Sequence, residues 1–148
     1  MIRGLRRVPA DVHARLARLA EHVGRDQRVV ALYLFGSYAR GAEGPLSDVD
    51  VAVLVRSPSA DDGGRLALDL LGEVNRLLGT DEVSFVLLNE APLTLRYEVV
   101  RTGRVLVDND RSARLAFETR TEDLYLDFKP FLEAYDEALL RQLAGPDT

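Results

Sequence analysis

The feature that most constrains the fold of this chain is a pair of apolar runs separated by a short polar segment. Val29–Phe35 is one nearly continuous apolar run, and Val49–Val55 is the other. Runs of this length and composition are typical of buried strands. Gly36-Ser37 ends the first run, and Asp48-Val49-Asp50 opens the second. The sequence therefore predicts two core strands whose connection begins and ends in polar residues.

Helical and strand patterns alternate along the rest of the chain, as expected for an α/β or α+β domain. Amphipathic helices are predicted before the first run and after the second, the earlier one ending near Gly24. Further elements are predicted as a strand at 83–88, a helix at 91–103, an edge strand at 105–107 and a helical segment at 110–143 that Pro130 kinks or divides. With no repeat, low-complexity tract or linker, residues 1–148 are predicted to form one domain, with 110–143 packing on it.

Composition excludes several functional classes. The net charge of −5 argues against a role in direct nucleic-acid binding driven by phosphate attraction. The absence of cysteine excludes disulfides and thiolate metal sites and fits a cytoplasmic location. The basic segment 1–7 has no apolar run after it, so no secretory signal is expected, and no segment is apolar enough to cross a membrane.

Asp48 and Asp50 are the candidate metal ligands and catalytic residues. Residues i and i+2 of a strand point to the same face, about 6.6 Å apart at Cα. Hard carboxylate oxygens at this spacing suit Mg²⁺, which is usually completed by water and substrate phosphates. Two such residues at the start of a buried strand predict a rigidly supported magnesium site.

Gly36-Ser37 provides the complementary half of the predicted site. Glycine lets the backbone approach a phosphate closely, and N–H groups at the start of a helical turn favour anions. The Ser37 hydroxyl adds a donor. One segment can therefore bind a triphosphate while the next strand holds its metal, a division suited to nucleotidyl transfer.

These motifs resemble the signature of a known superfamily. Leu34–Gly41 followed by Ser47–Asp50 resembles the signature of polymerase-β-like nucleotidyltransferases, most closely the minimal nucleotidyltransferase (MNT) branch. The segments 88–93, 96–98 and 125–130, together with Gly103, resemble MNT antitoxins that pair with HEPN toxins. The resemblance therefore covers nearly the whole chain.

The resemblance implies a fold, an activity and a partner. The fold is a small mixed sheet with helices packed mainly on one side and a C-terminal helical segment. The implied activity is Mg²⁺-dependent transfer of AMP from ATP to a tyrosine of a HEPN ribonuclease toxin, within a homo- or hetero-oligomer. Gly36 and Ser37 would hold the triphosphate, and Asp48 and Asp50 the metal. Arg40 matches the motif arginine, with phosphate binding and a structural ion pair as its two interpretations.

The resemblance also implies a third acidic residue on a later strand, and this sequence departs from the pattern there. The matching position is Ser84, a weak Mg²⁺ ligand. Glu82 shares a strand face with Ser84 but lies about 6.6 Å along the strand, whereas Asp81 faces the other side. Ser84, Glu82 and Asp81 are the three candidates for the third ligand. The simpler interpretation of Glu82 and Asp81 is that they are solvated residues at the start of the strand.

Three functions remain open on the sequence. The first is an adenylyltransferase antitoxin, the second a degenerate antitoxin that acts by binding alone, and the third an antibiotic-type small-molecule nucleotidyltransferase. Tyr38 is expected either beside the nucleotide or in the core, and His13 and His22 on the surface. The apolar stripe of the C-terminal segment has packing on the core as its first interpretation and binding of a partner helix as the alternative; its residues are Leu124, Phe128, Phe131, Tyr135 and Leu139.

Overall fold

The computed structural model describes residues 9–44, 47–56, 60–80 and 82–145, without the side chains of 60–64. Asp81 and the basic segment 1–7 lie outside the described residues. Among the described helices, none is both long and apolar enough to cross a bilayer.

The predicted elements occur in the predicted order. The helices are α1 (Val12–Gly24), α2 (Gly36–Arg40), α3 (Ala60–Leu78), α4 (Leu93–Thr102) and α5 (Arg111–Ala144), and the strands are β1 (Val29–Phe35), β2 (Val49–Val55), β3 (Val83–Leu87) and β4 (Arg104–Asp108). A short 3₁₀ helix, Leu88–Glu90, follows β3. Pro130 lies inside α5 without dividing it.

The four strands form one mixed sheet in the order β3-β2-β1-β4. β1 pairs antiparallel with β2 and with β4, whereas β2 pairs parallel with β3. The two apolar runs are therefore the central strands, and β4 is at the edge as predicted. Because β1 and β2 are antiparallel neighbours, the end of β1 and the start of β2 lie at the same end of the sheet.

The sheet is covered by helices on both faces. Alternate residues of β2 (Val49, Val51, Val53 and Val55) pack with apolar residues of α1 and α3 in the larger core cluster. Ala52 and Leu54 face the other way and pack with Val99 of α4 and Phe117 of α5. The α+β class and the small mixed sheet are confirmed, but the helices are not confined mainly to one side, because alternate β1 and β2 side chains need apolar cover on each face.

The C-terminal helix has two unlike halves. Its first half packs on β1 and α4, and Thr121 in it is buried. Tyr125 stacks on Tyr97 of α4 with ring centroids 3.7 Å apart. Beyond Tyr125 the side chains up to residue 145 are exposed, except for the half-buried Leu132. The second half therefore extends past the part of the domain that supports the first.

Candidate active site

The sheet register gathers the predicted site residues at one end of the central strands. Phe35, the last residue of β1, pairs with Asp50, and Asp50 pairs on its other side with Ser84 of β3. Gly36 follows Phe35 directly and begins α2. Gly36, Asp50 and Ser84 are thus neighbours, although the sequence separates them by up to 48 positions.

Gly36 is required as glycine for two separate reasons. Its φ of +70° lies in the left-handed region that residues with a Cβ atom disfavour. A Cβ at this position would also overlap Asp50 Oδ2 and lie 3.0 Å from Asp50 Cγ. The Asp50 carboxylate therefore occupies the space that the missing side chain leaves, against the backbone where α2 begins.

Asp50 lies in an acidic and partly desolvated environment. Burial raises the pKa of its carboxyl group above the usual value, and the charges of Asp48 and Glu98 raise it further. A hydrogen bond from Ser84 and the charge of Arg40 oppose this rise. Such a position favours a cation, because a cation would offset both the burial and the like charges.

Asp48 lies one residue before β2 rather than within it, and its side chain is exposed. The preceding loop is closed by Ser47, whose Oγ accepts a hydrogen bond from Gly44 N at 2.8 Å and whose N donates to Gly44 O at 3.1 Å. The N–H of Val49 donates to Glu82 O at 3.1 Å, which joins this end of β2 to the start of β3. The residues on either side of Asp48 are therefore held by hydrogen bonds, and Asp48 itself is exposed between them.

Some side chains of α2 lie near the candidate site, and others pack in the core. Arg40 is exposed in the last turn and acts electrostatically on Asp50. No carboxylate of the described residues lies within ion-pair distance of Arg40, so the structural ion pair expected as one interpretation does not form there. Tyr38 is buried in the larger core cluster, which settles its two interpretations in favour of packing. His13 is exposed as predicted, and its Nε2 lies 3.2 Å from Glu43 Oε1.

The three candidates for the third ligand differ in placement. Ser84 is the register partner of Asp50 and lowers the pKa of its carboxyl group, so the position matched to the missing acid is at the site. Glu82 lies just before β3 and is half-buried, with its N–H donating to Thr80 Oγ1 at 3.0 Å. Asp81 is outside the described residues.

Glu98 is the carboxylate that sequence reasoning missed. It belongs to α4 and lies 48 positions beyond Asp50 along the chain, yet its charge is among those that raise the pKa of Asp50. No sequence signal pointed to it, because a single exposed glutamate on an amphipathic helix is indistinguishable from a solvated surface residue. Only the packing of α4 on the sheet brings it to this end.

The donor set is compatible with a magnesium ion bound together with phosphates. Asp48 and Asp50 offer hard oxygen ligands, and Mg²⁺ is commonly held by one or two carboxylates with water and substrate oxygens completing the octahedron. Within the described part of the chain, no group of three acidic or histidine side chains is gathered closely enough to hold a metal without such help. The site therefore fits a cation that arrives with its nucleotide.

A cleft elsewhere on the molecule has different chemistry. It measures about 540 Å³ and is lined by Gly24, Arg25, Gln27, Arg56 and Asn109. Both arginines are already in ion pairs, Arg25 with Glu21 at 2.9 Å and Arg56 with Asp110 at 2.6 Å. The cleft therefore offers little free charge and no carboxylate ligand, and it is not part of the candidate site.

The fold and the acidic site at the end of the central strands are those of a nucleotidyltransferase domain. The sequence model of the family described as "Polymerase beta, Nucleotidyltransferase" matches residues 18–112, which include every described residue of the site. The chain belongs to this family. A search of curated protein sequences found no significant match.

Solved structures of toxin–antitoxin complexes have the same fold. A chain of a toxin–antitoxin crystal structure with AMP-PNP is 24% identical, with a TM-score of 0.66 over 86% of this chain and 97% of that one. A chain of the tri-AMPylated Shewanella oneidensis HEPN toxin in complex with MNT antitoxin is 20% identical, with a TM-score of 0.64 over 87% and 98%. A chain of the MntA-HepT toxin–antitoxin is 21% identical, with a TM-score of 0.62 over 87% and 97%.

Proposed function

We propose that this protein is a cytoplasmic, Mg²⁺-dependent adenylyltransferase antitoxin that transfers AMP from ATP to a tyrosine of a HEPN-type toxin. The observation that carries the proposal is the convergence of Gly36, Asp48 and Asp50 at one end of the central strands in a nucleotidyltransferase fold. The similarity to chains from complexes with AMP-PNP and with an AMPylated HEPN toxin supports the choice of nucleotide and partner.

The reaction needs positioning and charge neutralisation more than covalent chemistry. The tyrosine oxygen forms a bond to the α-phosphorus of ATP, the bond from that phosphorus to the bridging oxygen breaks, and pyrophosphate leaves. The hydroxyl proton passes to a nearby carboxylate or to water. Bound magnesium would supply positive charge to the phosphate oxygens as the bond to pyrophosphate breaks.

The residues of this chain have separate tasks in the proposed site. The N–H groups at Gly36 and Ser37, at the start of α2, are assigned to the phosphates, and glycine at position 36 lets the Asp50 carboxylate lie against this backbone. Asp48 and Asp50 hold the cation. Arg40, exposed at the end of α2, provides a positive charge for the phosphates, since no described carboxylate pairs with it.

The second half of α5 provides the surface that we propose for the toxin. It presents large apolar side chains to solvent, among them Phe131 at 70% and Tyr135 at 66% exposure. Apolar stripes at helical spacing on an unsupported helix are suited to packing against partner helices. This assigns partner binding to a part of the chain separate from the active site.

An antitoxin that acts by contact alone is the second candidate. Ser84 stands where the family places an acid, and the described residues contain no ready three-carboxylate cluster. Both observations favour a site that transfers AMP weakly or not at all. The same α5 surface would then neutralise the toxin by binding.

The decisive experiment measures AMP transfer directly. The protein is incubated with ATP labelled at the α-phosphate, Mg²⁺ and the HEPN-type protein encoded beside it, and the label on the toxin is located by mass spectrometry. We expect labelled tyrosine with the parent protein, and a loss of at least about 100-fold in rate with Asp48→Ala, because a direct metal ligand is removed. Asp69→Asn, an exposed aspartate on α3, is the matched control and should label normally.

The outcomes separate the candidates. Equal labelling by Asp48→Ala and the parent would show that the active site is elsewhere. Labelling by Ser84→Asp but not by the parent would identify a degenerate transferase that neutralises by binding. Small-molecule transfer without toxin labelling would favour the antibiotic-type function.

A further inference from the structure

The apolar stripe of α5 is one continuous face of the helix. Its residues follow one another at intervals of three or four positions, so they span an arc of only about 80° at about 100° per residue. They are Leu124, Phe128, Phe131, Tyr135 and Leu139, and all are exposed. The rings of Phe128 and Phe131 lie with their centroids 6.4 Å apart on this face. The stripe is therefore an apolar surface that remains open to a partner.

The opposite side of this half of α5 carries charges that neutralise one another. Lys129 Nζ lies 3.9 Å from Glu133 Oε1, and Arg141 Nη2 lies 2.6 Å from Glu137 Oε1. The four residues recur at every fourth position, and their row is centred about 180° away from the centre of the stripe. Lys129 and Arg141 are the basic residues of the segment 126–144. Both are therefore already paired, on the side of the helix that faces away from the stripe.

Two aspartates flank the stripe, and we call them the acidic rim. Asp127 lies about 40° beyond one edge of the stripe, and Asp136 lies about 60° beyond the other edge. Both are exposed, and no basic side chain in residues 9–44, 47–56, 60–80 and 82–145 forms an ion pair with either of them. Unpaired charges around an apolar face steer a partner of opposite charge, whereas exposed pairs contribute little. The charges beside the stripe are therefore the ones available for recognition.

A second copy of this chain does not match the surface. Pairing of two stripes would bring Asp127 and Asp136 of both copies to the edges of one interface. Lys129 and Arg141 could not offset these carboxylates, because they lie on the far side of the helix. Like charges brought together at an interface are unfavourable. The complementary surface is instead an apolar helical face with arginine or lysine at its edges.

We propose that the apolar stripe and the acidic rim bind an apolar helical face of the toxin that carries arginine or lysine along both edges. The inference rests on the proposed function. It adds which side of α5 faces the toxin and which charge the toxin presents there. Burial of the exposed rings of Phe131 and Tyr135 provides most of the affinity, since aromatic anchors commonly dominate interfaces. The acidic rim speeds association and fixes the orientation of the two helical faces.

Association kinetics measure the acidic rim separately from the stripe. The full-length protein is immobilised, and the HEPN-type protein encoded beside it is passed over the surface at low and at high salt. We expect the double substitution Asp127→Asn and Asp136→Asn to lower the association rate constant roughly 5-fold at low salt, because rim charges act mainly on association. The difference from the parent should vanish at high salt, where the charges are screened. An unchanged Tm establishes that the variant is folded.

The matched control is the double substitution Glu133→Gln and Glu137→Gln. It changes the net charge by the same amount and lies on the same helix, but on the side away from the stripe. Its association rate constant should stay within about 2-fold of that of the parent, because the exposed pairs that it removes contribute little.

The outcomes distinguish this inference from the proposed function. Normal association of the rim variant, with Phe131→Ser and Tyr135→Ser impaired, would overturn the acidic rim and leave the toxin surface in place. Equal slowing of the rim variant and its control would overturn it as well, because net charge alone would then explain the effect. A dimer of the parent protein that Phe131→Ser dissociates, measured by sedimentation, would show that a second copy occupies the stripe. Absence of toxin binding by the parent would overturn the proposed function itself.

Discussion

At the scale of single residues, two glycines with the same backbone geometry have different consequences. Gly36 is the first residue of α2 and Gly41 follows its last, with φ of +70° and +67°. A Cβ at Gly36 would overlap the Asp50 carboxylate, whereas a Cβ at Gly41 would meet nothing within 4 Å. A side chain at either position would therefore strain the left-handed backbone, but only a side chain at Gly36 would also displace the Asp50 carboxylate.

Comparison of Gly36→Ala with Gly41→Ala should separate strain from function. We expect each to lower the free energy of unfolding by about 1–2 kcal/mol, the cost of a left-handed residue with a Cβ. Only Gly36→Ala should also weaken binding of Mn²⁺ and ATP analogue, because only it displaces a metal ligand. Urea denaturation and calorimetric titration measure the two effects, and equal ligand affinity in both variants would refute the packing of Asp50 against Gly36.

At the scale of elements, a polar network anchors the first half of α5 to the sheet. Arg114 lies 3.0 Å from Asp108 of β4 and 2.8 Å from Glu118 one turn on. Glu118 also accepts a hydrogen bond from the hydroxyl of Tyr33, at the centre of β1, at 3.1 Å. Asp110 caps the helix by accepting from Ala113 N at 3.0 Å. No comparable set of contacts to the sheet supports the described residues of α5 beyond Tyr125.

Two arginines of α5 should accordingly differ in their effect on stability. Arg114→Ala removes charged hydrogen bonds in a half-buried setting, and we expect a loss of about 1.5–3 kcal/mol. Arg141→Ala removes an exposed pair with Glu137 one turn away, which is worth about 0.3–0.5 kcal/mol. Urea denaturation measures both free energies of unfolding. A similar loss in the two variants would mean that the network does not anchor the helix.

At the scale of the whole molecule, the candidate active site and the proposed partner surface are on different parts of the chain. The candidate site lies where β1, α2 and β2 meet, whereas the exposed apolar stripe belongs to the unsupported half of α5. Nucleotide binding and partner binding should therefore be separable by substitution.

The double substitution Phe131→Ser and Tyr135→Ser tests this separation. We expect it to reduce co-purification of the toxin at least about 100-fold, since large aromatic anchors commonly dominate interface energies. ATP-analogue binding should not change. Leu68→Ser is the control, because Leu68 is an equally exposed apolar residue, 72% accessible, on α3. Unimpaired co-purification by the double variant would place the toxin on another surface.

The sequence by itself determined the secondary-structure elements and supplied the residues of the proposed site. Hydrophobic periodicity is a local property, so β1, β2 and the helix boundaries at Gly24 and Gly103 followed directly from the apolar pattern. Asp48, Asp50 and Gly36 could be proposed as site residues because they are close along the chain and lie at the ends of buried strands. The placement of Ser84 beside Asp50 also followed, since it depends on alignment with a known pattern.

Only the tertiary structure decided which distant residues share the site and which surface is left open. The effect of the Glu98 charge on the pKa of Asp50 depends on the face to which α4 packs, and no local pattern encodes that face. The exposure of the second half of α5 depends on where the domain beneath it ends. Both are long-range properties, because they arise from how elements far apart in sequence bury one another's apolar faces.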